Sequence, residues 1–303
     1  MIKIVTHDAK FHTDDVFAVA TLFLAFGKEN CNVVRTRDEE IIHQSDIVVD
    51  VGGEYNVVTK KFDHHQSGGA GARENGISYA SFGLVWKEYG EKISDSKEVS
   101  EEIERVLIQP IDALDNGESI SSPLIPHLHQ FDINNVINLY RSTWKEKRDW
   151  DESFVEAVDW ATWVLTRLIK TTKDILEAKE IVIRAYETAK DKNIIVIDKK
   201  YDVGREVVMD VLFSYVEPIY AVLYRSDAKN WQVVAIRKEE GSFSSRKSFP
   251  ESWKALRDEE LQKITGVKDS LFCHRSGFMC IVGSQEGAEK LAKSALENCK
   301  IEN

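Results

Sequence analysis

No apolar run in this chain approaches the roughly 18–20 residues that a helix needs to span a bilayer, so a membrane-embedded protein is not expected. No charged, apolar or Arg/Ser-rich leader stands before the strand-like Lys3-Ile4-Val5-Thr6, and the expectation is an intracellular protein, with cytoplasm, nucleus and mitochondrion all open. Cysteine is sparse. Cys31, Cys273, Cys280 and Cys299 are scattered and no two make a C-x-x-C pair, which argues for buried thiols rather than a disulfide framework or a zinc site. Positive charge is also in deficit, with a formal net charge of −11. That balance argues against a surface that coats polyanions and against tight nonspecific duplex binding, although an enzyme needs only a local basic groove. Internal repeats and low-complexity tracts are missing too.

What remains is an ordinary globular composition, 43% hydrophobic and 30% charged, over 303 residues, enough for one large or two medium domains. The first third alternates short β-rich runs with helical periods. Lys3–Thr6 is a first strand. Val16, Val19, Ala20, Phe23 and Leu24 then give residues 14–26 a helical period closed by Gly27. Asn32–Thr36 and Ile47–Val51 read as second and third strands, and Val57–Phe62 as a fourth. Residues 77–92 and 98–115 are expected to be helical, followed by a Trp-rich helical hairpin (Trp144, Trp150, Trp160, Trp163) to about Lys190. From Ile194 five apolar runs and a final helix from Gln285 follow. The fold class is therefore α/β: a domain over 1–190 with a mainly parallel sheet flanked by helices, and a smaller α/β domain with a mixed sheet over 191–303.

Of eight histidines, four fall in two tight groups with carboxylates. His7, His12, Asp14 and Asp15 follow the first strand. Asp63, His64 and His65 follow the fourth, and Asp50 closes the third ahead of Gly52-Gly53. In a parallel sheet the C-terminal ends of successive strands share one edge, where sites form. Imidazole with an excess of carboxylate suits Mn²⁺ or Mg²⁺, with Zn²⁺ also served. Two such ions about 3.5–4 Å apart would lower the pKa of a water between them and clamp an attacked phosphoryl group. The supply is His7, His12, Asp14, Asp50, His64 and a further Asp, either Asp112 or Asp115, which are spaced i, i+3 at a helix end. Each residue alone has an ordinary explanation: helix N-terminal carboxylates for Asp14 and Asp15, a turn for Asp50, a helix end for Asp112 and Asp115. Their joint appearance at successive strand ends does not.

This ordered set resembles the Asp-His-His phosphoesterase superfamily. It is most similar to the melanocyte-proliferating-gene (Myg) exonuclease family through Thr6–Asp15, Val49–Gly53, Phe62–Gln66 and Ile111–Gly117, together with Ser245–Trp253, Leu256–Leu261 and His274–Phe278. The resemblance spans nearly the whole chain. It implies a divalent-metal-dependent 3′–5′ RNA exonuclease, with two Mn²⁺ (or Mg²⁺ or Zn²⁺), in a family linked to nuclear and mitochondrial RNA handling. His7, His12, Asp14, Asp50, His64 and Asp115 would be ligands, and His12 stands where many superfamily members carry a carboxylate. His65 would face the substrate phosphate, with Asp63 either coordinating or orienting its neighbours. The second domain would supply substrate contacts through Arg246, Lys247, Arg257, His274, Arg275, Ser276 and Gly277, with Trp253 or Phe278 stacking on a base. Partners would be single-stranded RNA or a short nucleotide, with a homodimer admitted. A small-molecule phosphatase (pyrophosphate, pAp or a dinucleotide) and a non-catalytic metal scaffold are the competing readings.

Overall fold

The computed structural model describes residues 1–239 and 244–298; Cys299, expected to be a buried thiol, lies outside them. The chain divides into two compact units, Met1–Lys173 and Asp174–Asn303.

The first unit carries a five-stranded sheet in the order β2-β1-β3-β5-β4. Its strands are β1 (Ile2–Thr6), β2 (Cys31–Arg35), β3 (Ile47–Val49), β4 (Tyr55–Asn56) and β5 (Lys61–Phe62). The β1/β2, β1/β3 and β3/β5 pairs are parallel, and only β4/β5 is antiparallel. Ile4, Val5 and Ile47–Val49 are buried, as expected of strands covered on both faces. The expected fourth strand over Val57–Phe62 is instead the hairpin β4–β5. Val58 is exposed, Lys60 turns through φ 54°, and Asn56 Oδ1 accepts from the backbone N–H of Val58 and Thr59. That side-chain turn breaks the run before a long strand can form.

Helix α1 (Thr13–Phe26) is buried from Thr13 to Phe23, and α2 (Glu39–His43) is a short connector. The apolar wrap of α1 fits a helix packed against both β3 and α3 (Ser81–Ser94). The predicted 98–115 helix is nearly continuous: α4 (Lys97–Ile103), a wide turn over Glu104–Ile108, then α5 (Gln109–Asp115). Helix α6 (Ile133–Leu139) follows. The Trp-rich hairpin is instead one 39-residue helix, α7 (Trp150–Thr188), with Trp144 outside it and exposed. No Gly or Pro interrupts 150–188, so nothing turns the chain back. The polar Lys190–Asn193 stretch lies just past this helix, whereas the compact units divide within it.

The second unit has the mixed sheet β6-β7-β8-β10-β9, built from β6 (Ile194–Val196), β7 (Tyr220–Arg225), β8 (Asn230–Ala235), β9 (Ser270–Cys273) and β10 (Met279–Val282). Only β6/β7 is parallel. Alternate residues face two cores. Tyr220, Val222, Trp231 and Val233 join residues from α9 (Asp258–Thr265) and α10 (Gln285–Asn298), whereas Ala221, Leu223 and Val234 join Val208 and Leu212 of α8 (Arg205–Phe213). Among the described residues no helix is long and apolar enough to cross a membrane.

Candidate metal centre

Three parallel neighbours end on the chemistry. β1 runs into His7, β3 into Asp50 and β5 into Asp63-His64-His65, so the strand order lines these residues along one sheet edge. Helix α1 begins beside them with Asp14 and Asp15, and α5 ends there with Asp115. His7 Nε2 lies 3.2 Å from Asp15 Oδ2 and 3.3 Å from Asp50 Oδ2. His64 Nε2 lies 3.2 Å from Asp115 Oδ2, 3.4 Å from Asp50 Oδ1 and 4.0 Å from Asp14 Oδ2. Single ligand atoms of His7, His12 and Asp50 fall within 4.8 Å of one another; so do those of Asp50, His64 and His65, and those of His12, Asp14 and Asp115. His7, Asp14, Asp50 and His64 are buried, whereas His12 and His65 are exposed.

The backbone is bent to deliver two of these groups. Asp50 adopts φ 57°, a left-handed conformation that aspartate tolerates better than most residues, and Ser81 Oγ donates to its Oδ1 at 3.0 Å. Asp15 Oδ1 accepts from the backbone N–H groups of His12 and Val16, both at 2.8 Å, which closes the first turn of α1 around His12.

The electrostatics are those of a site short of positive charge. Burial pushes the Asp14 carboxyl well above its ordinary range, and the neighbouring Asp50, Asp115 and Asp15 push it further. Burial opposes charge on His7, but Asp15 and Asp50 outweigh it and hold the imidazole up at about 10. His64 is likewise held at about 10 by Asp115 and Asp50 against its burial. Partial desolvation of its ring draws His12 down towards the neutral form that ligates, although the residue as a whole is exposed. Both oxygens of Asp14, Oδ2 of Asp15 and Nε2 of His64 are buried without a hydrogen-bond partner. Orphaned buried carboxylate oxygens are costly, and a cation held by Asp14 and His64 would satisfy theirs, whereas Asp15 Oδ2 faces the His7 ring at 3.2 Å. The donor set therefore fits divalent metal.

Several residues take other roles. Asp112 is not in the cluster: its Oδ2 accepts from Arg73 Nη2 at 2.7 Å and its Oδ1 from Gly83 N at 3.1 Å, so of the two candidate aspartates Asp115 is the one placed to ligate. Asp63 is spent on orientation. Its oxygens accept from the backbone N–H of Gly53, His64 and His65 and meet His65 Nδ1 at 2.7 Å. The His65 imidazole is raised by that Asp63 bond and its side chain is 61% exposed. In the second unit the Arg246 guanidinium donates to the carbonyls of Phe213, Val216 and Pro218, and Lys247 to that of Leu296, which makes them struts rather than free phosphate donors. Trp253 is core. Arg257 covers the Phe272 ring, His274 Nδ1 closes a turn on Ser276 Oγ at 2.7 Å, and Phe278 lies beside His274. Gly277 is required there by its φ of 66° and by Lys254 and Phe249, which crowd any side chain. Arg275 is exposed, with no ion pair among the described residues.

Sequence reasoning set Asp15 aside as a helix-start residue and gave no role to Ser81 or Asn116. Asn116 Oδ1 sits 3.3 Å from His64 Nδ1. The signal for Asn116 was its place beside Asp115; Ser81 carried none.

The family model described as "Uncharacterised protein family (UPF0160)", MYG1_exonuc, matches residues 3–296. The chain belongs to this family. The MYG1 protein C694.04c of Schizosaccharomyces pombe is 29% identical over 98% of each chain, and the MYG1 protein of Dictyostelium discoideum is 30% identical over 97% of this chain and 96% of its own. The MYG1 exonuclease of Rattus norvegicus is 31% identical over 97% of this chain and 84% of its own. Among solved structures, CDC45 from Entamoeba histolytica aligns over 98% and 95% of the two chains at a TM-score of 0.28 and 9% identity, too low to carry an argument.

Proposed function

We propose that this member of the MYG1 exonuclease family is a divalent-metal-dependent phosphoesterase that removes nucleotides from the 3′ end of single-stranded RNA. The observation that carries the reading is the buried carboxylate cluster with orphaned oxygens at the ends of β1, β3 and β5. His7, His12 and Asp50 would hold one cation, and Asp14, Asp50, His64 and Asp115 a second, with Asp50 shared. When bound, the ions supply Lewis acidity toward a phosphoryl oxygen and make a water a better nucleophile at neutral pH.

The chain's own residues do the rest. Asp63 fixes the His65 ring through Nδ1 and favours its charged form, so Nε2 can donate to a phosphate oxygen as negative charge develops there. Ser81 and Asn116 hold Asp50 and His64 in register from behind. The wall of buried residues under the cluster (Asp14, Asp15, Asp50) keeps water away from one side. Relatives named MYG1 exonuclease support nuclease activity. The acidic net charge suits a short or single-stranded substrate better than a duplex.

A 20-nucleotide RNA labelled at its 5′ end decides the matter. With Mn²⁺ it should shorten in a ladder of single-nucleotide steps. Release of labelled mononucleotide as the first product would reverse the polarity, and turnover of pAp alone would replace the exonuclease by a small-molecule phosphatase.

A further inference from the structure

A cavity of about 210 Å³ opens beside the cluster, lined by His12, Thr13, Ile111, Leu114, Asp115, Asn134, Asn138 and Arg141. One wall carries the two ligand candidates His12 and Asp115. The rest of the lining includes a set of donors, Asn134, Asn138 and Arg141, that the site described above leaves unused. Asn134 and Asn138 are spaced i, i+4 on α6 and so share a face. Neither spends its side chain on a hydrogen bond among the described residues. Helix α6 is held by reciprocal bonds between Asp132 and Asn135 and by the buried Ile137, so this face is fixed in place.

Arg141 is the cation of the cavity. Its Nη2 donates to the carbonyl of Phe11, the residue before His12, its guanidinium lies over the Phe11 ring, and among the described residues it makes no other side-chain hydrogen bond. Its Nε is buried without a partner, and among the described residues it forms no ion pair. A half-buried arginine that forms no ion pair among the described residues, and whose neighbouring carboxylates Asp15 and Asp115 belong to the candidate metal cluster, keeps guanidinium N–H groups free for an anion. Planar guanidinium and amide N–H groups are the donors that hold nucleic acid phosphates. Ile111 and Leu114 supply an apolar side for a ribose, and the volume admits one sugar-phosphate, not a duplex.

We propose that Asn134, Asn138 and Arg141 form a subsite for a second phosphate, the one next to the phosphate being cleaved. This rests on the phosphoesterase reading and deepens it: the enzyme would select chains with two successive phosphates over isolated diesters.

The test compares a 5′-phosphorylated dinucleotide with bis(p-nitrophenyl) phosphate, which has a single phosphorus. Arg141→Gln should raise KM for the dinucleotide about 10- to 100-fold, the range for losing a charged hydrogen bond. The penalty on bis(p-nitrophenyl) phosphate should be at least about tenfold smaller. Because Arg141 also braces Phe11, Asn138→Ala serves as the second variant; it removes an exposed amide and should show the same substrate preference at about 3- to 10-fold. Equal penalties on both compounds, or none on the dinucleotide, would overturn the subsite. A binding arm avoids turnover altogether: in the Asp50→Asn background, fluorescence anisotropy of a labelled RNA tetranucleotide should show weaker binding on adding Arg141→Gln. Unchanged affinity there refutes the subsite. Wild-type protein inert on both compounds would instead refute the phosphoesterase reading, while the binding arm still decides the subsite.

Discussion

Replacing Asp50 by Asn removes one charge and little else. Asparagine has the same shape and also tolerates the left-handed φ of 57°, so the bend after β3 should survive. The lost charge lies 3.3 Å from His7 Nε2, 3.4 Å from His64 Nε2 and 3.5 Å from His65 Nδ1. Against a bound cation roughly 3–4 Å away, a unit charge at an effective dielectric of about 20 contributes about 4–5 kcal/mol before desolvation is counted. A shared ligand weakened by even about 4 kcal/mol lowers cation affinity about 10³-fold. The readout is thermal. A cation at 100 times its Kd stabilises the fold by about 2.7 kcal/mol. Each kcal/mol moves Tm by roughly 2–4 °C in a domain of about 150–250 residues. The cluster lies in the unit Met1–Lys173, so MnCl₂ should raise the wild-type Tm by about 5–11 °C over an EDTA-treated sample. In Asp50→Asn the same MnCl₂ would sit far below its Kd, and the rise should vanish. Scanning fluorimetry of both proteins, with and without MnCl₂, reads this directly. A full metal-dependent rise in the variant would show that Asp50 is no ligand, and the shared-carboxylate arrangement would go with it.

Two further outcomes follow from the same geometry. Gly83 lies within α3, where alanine would ordinarily gain up to about 1 kcal/mol of helix propensity. A Cβ there would sit 1.9 Å from Asp112 Oδ2 and 2.5 Å from Arg73 Nη2, so Gly83→Ala should instead destabilise by about 3 kcal/mol through overpacking and a disrupted buried pair; urea denaturation showing equal or greater stability would refute this. His7 and His64 carry protons up to about pH 10 in the metal-free cluster and must lose them to ligate, so loading near pH 7.5 should release about two protons and tighten as pH rises. Because both pKa values stand above the unfolded value of about 6.5, metal-free stability should decline as pH climbs from there to about 10. Calorimetry in buffers of different ionisation enthalpy measures the protons, and a buffer-independent heat would contradict the assignment.

Much of this was legible in the residues. Strand ends can be read because apolar runs stop abruptly at polar residues: Val5-Thr6-His7, Val49-Asp50 and Phe62-Asp63 each mark the edge where a parallel sheet collects its chemistry. The hairpin at Val57–Lys60 was hidden because its cause is one side chain, Asn56, folding onto the backbone two and three residues on. The single long α7 was misread as two helices because tryptophans at Trp144 and Trp150 look alike in composition, although one is exposed and the other starts the helix. The choice between Asp112 and Asp115 could not be made from spacing, since both fall near one helix end. It is decided by Arg73, 39 residues away in sequence. Arg246 shows the converse: basic residues in a motif suggest phosphate, but three backbone carbonyls already occupy this one.

The unequal burial of the cluster has a consequence for traffic. His7, Asp14, Asp15 and Asp50 form a dry floor built on a helix and strands of the core, while His12 and His65 form a wet rim. Floor residues cannot move without opening that core, so ions must be exchanged by swinging rim side chains aside. On the proposed function, the exposed rim with His65 would also be the approach for substrate. A bound nucleotide would therefore stopper the path by which cations leave, and metal loss should be slowest during turnover and fastest in the idle enzyme.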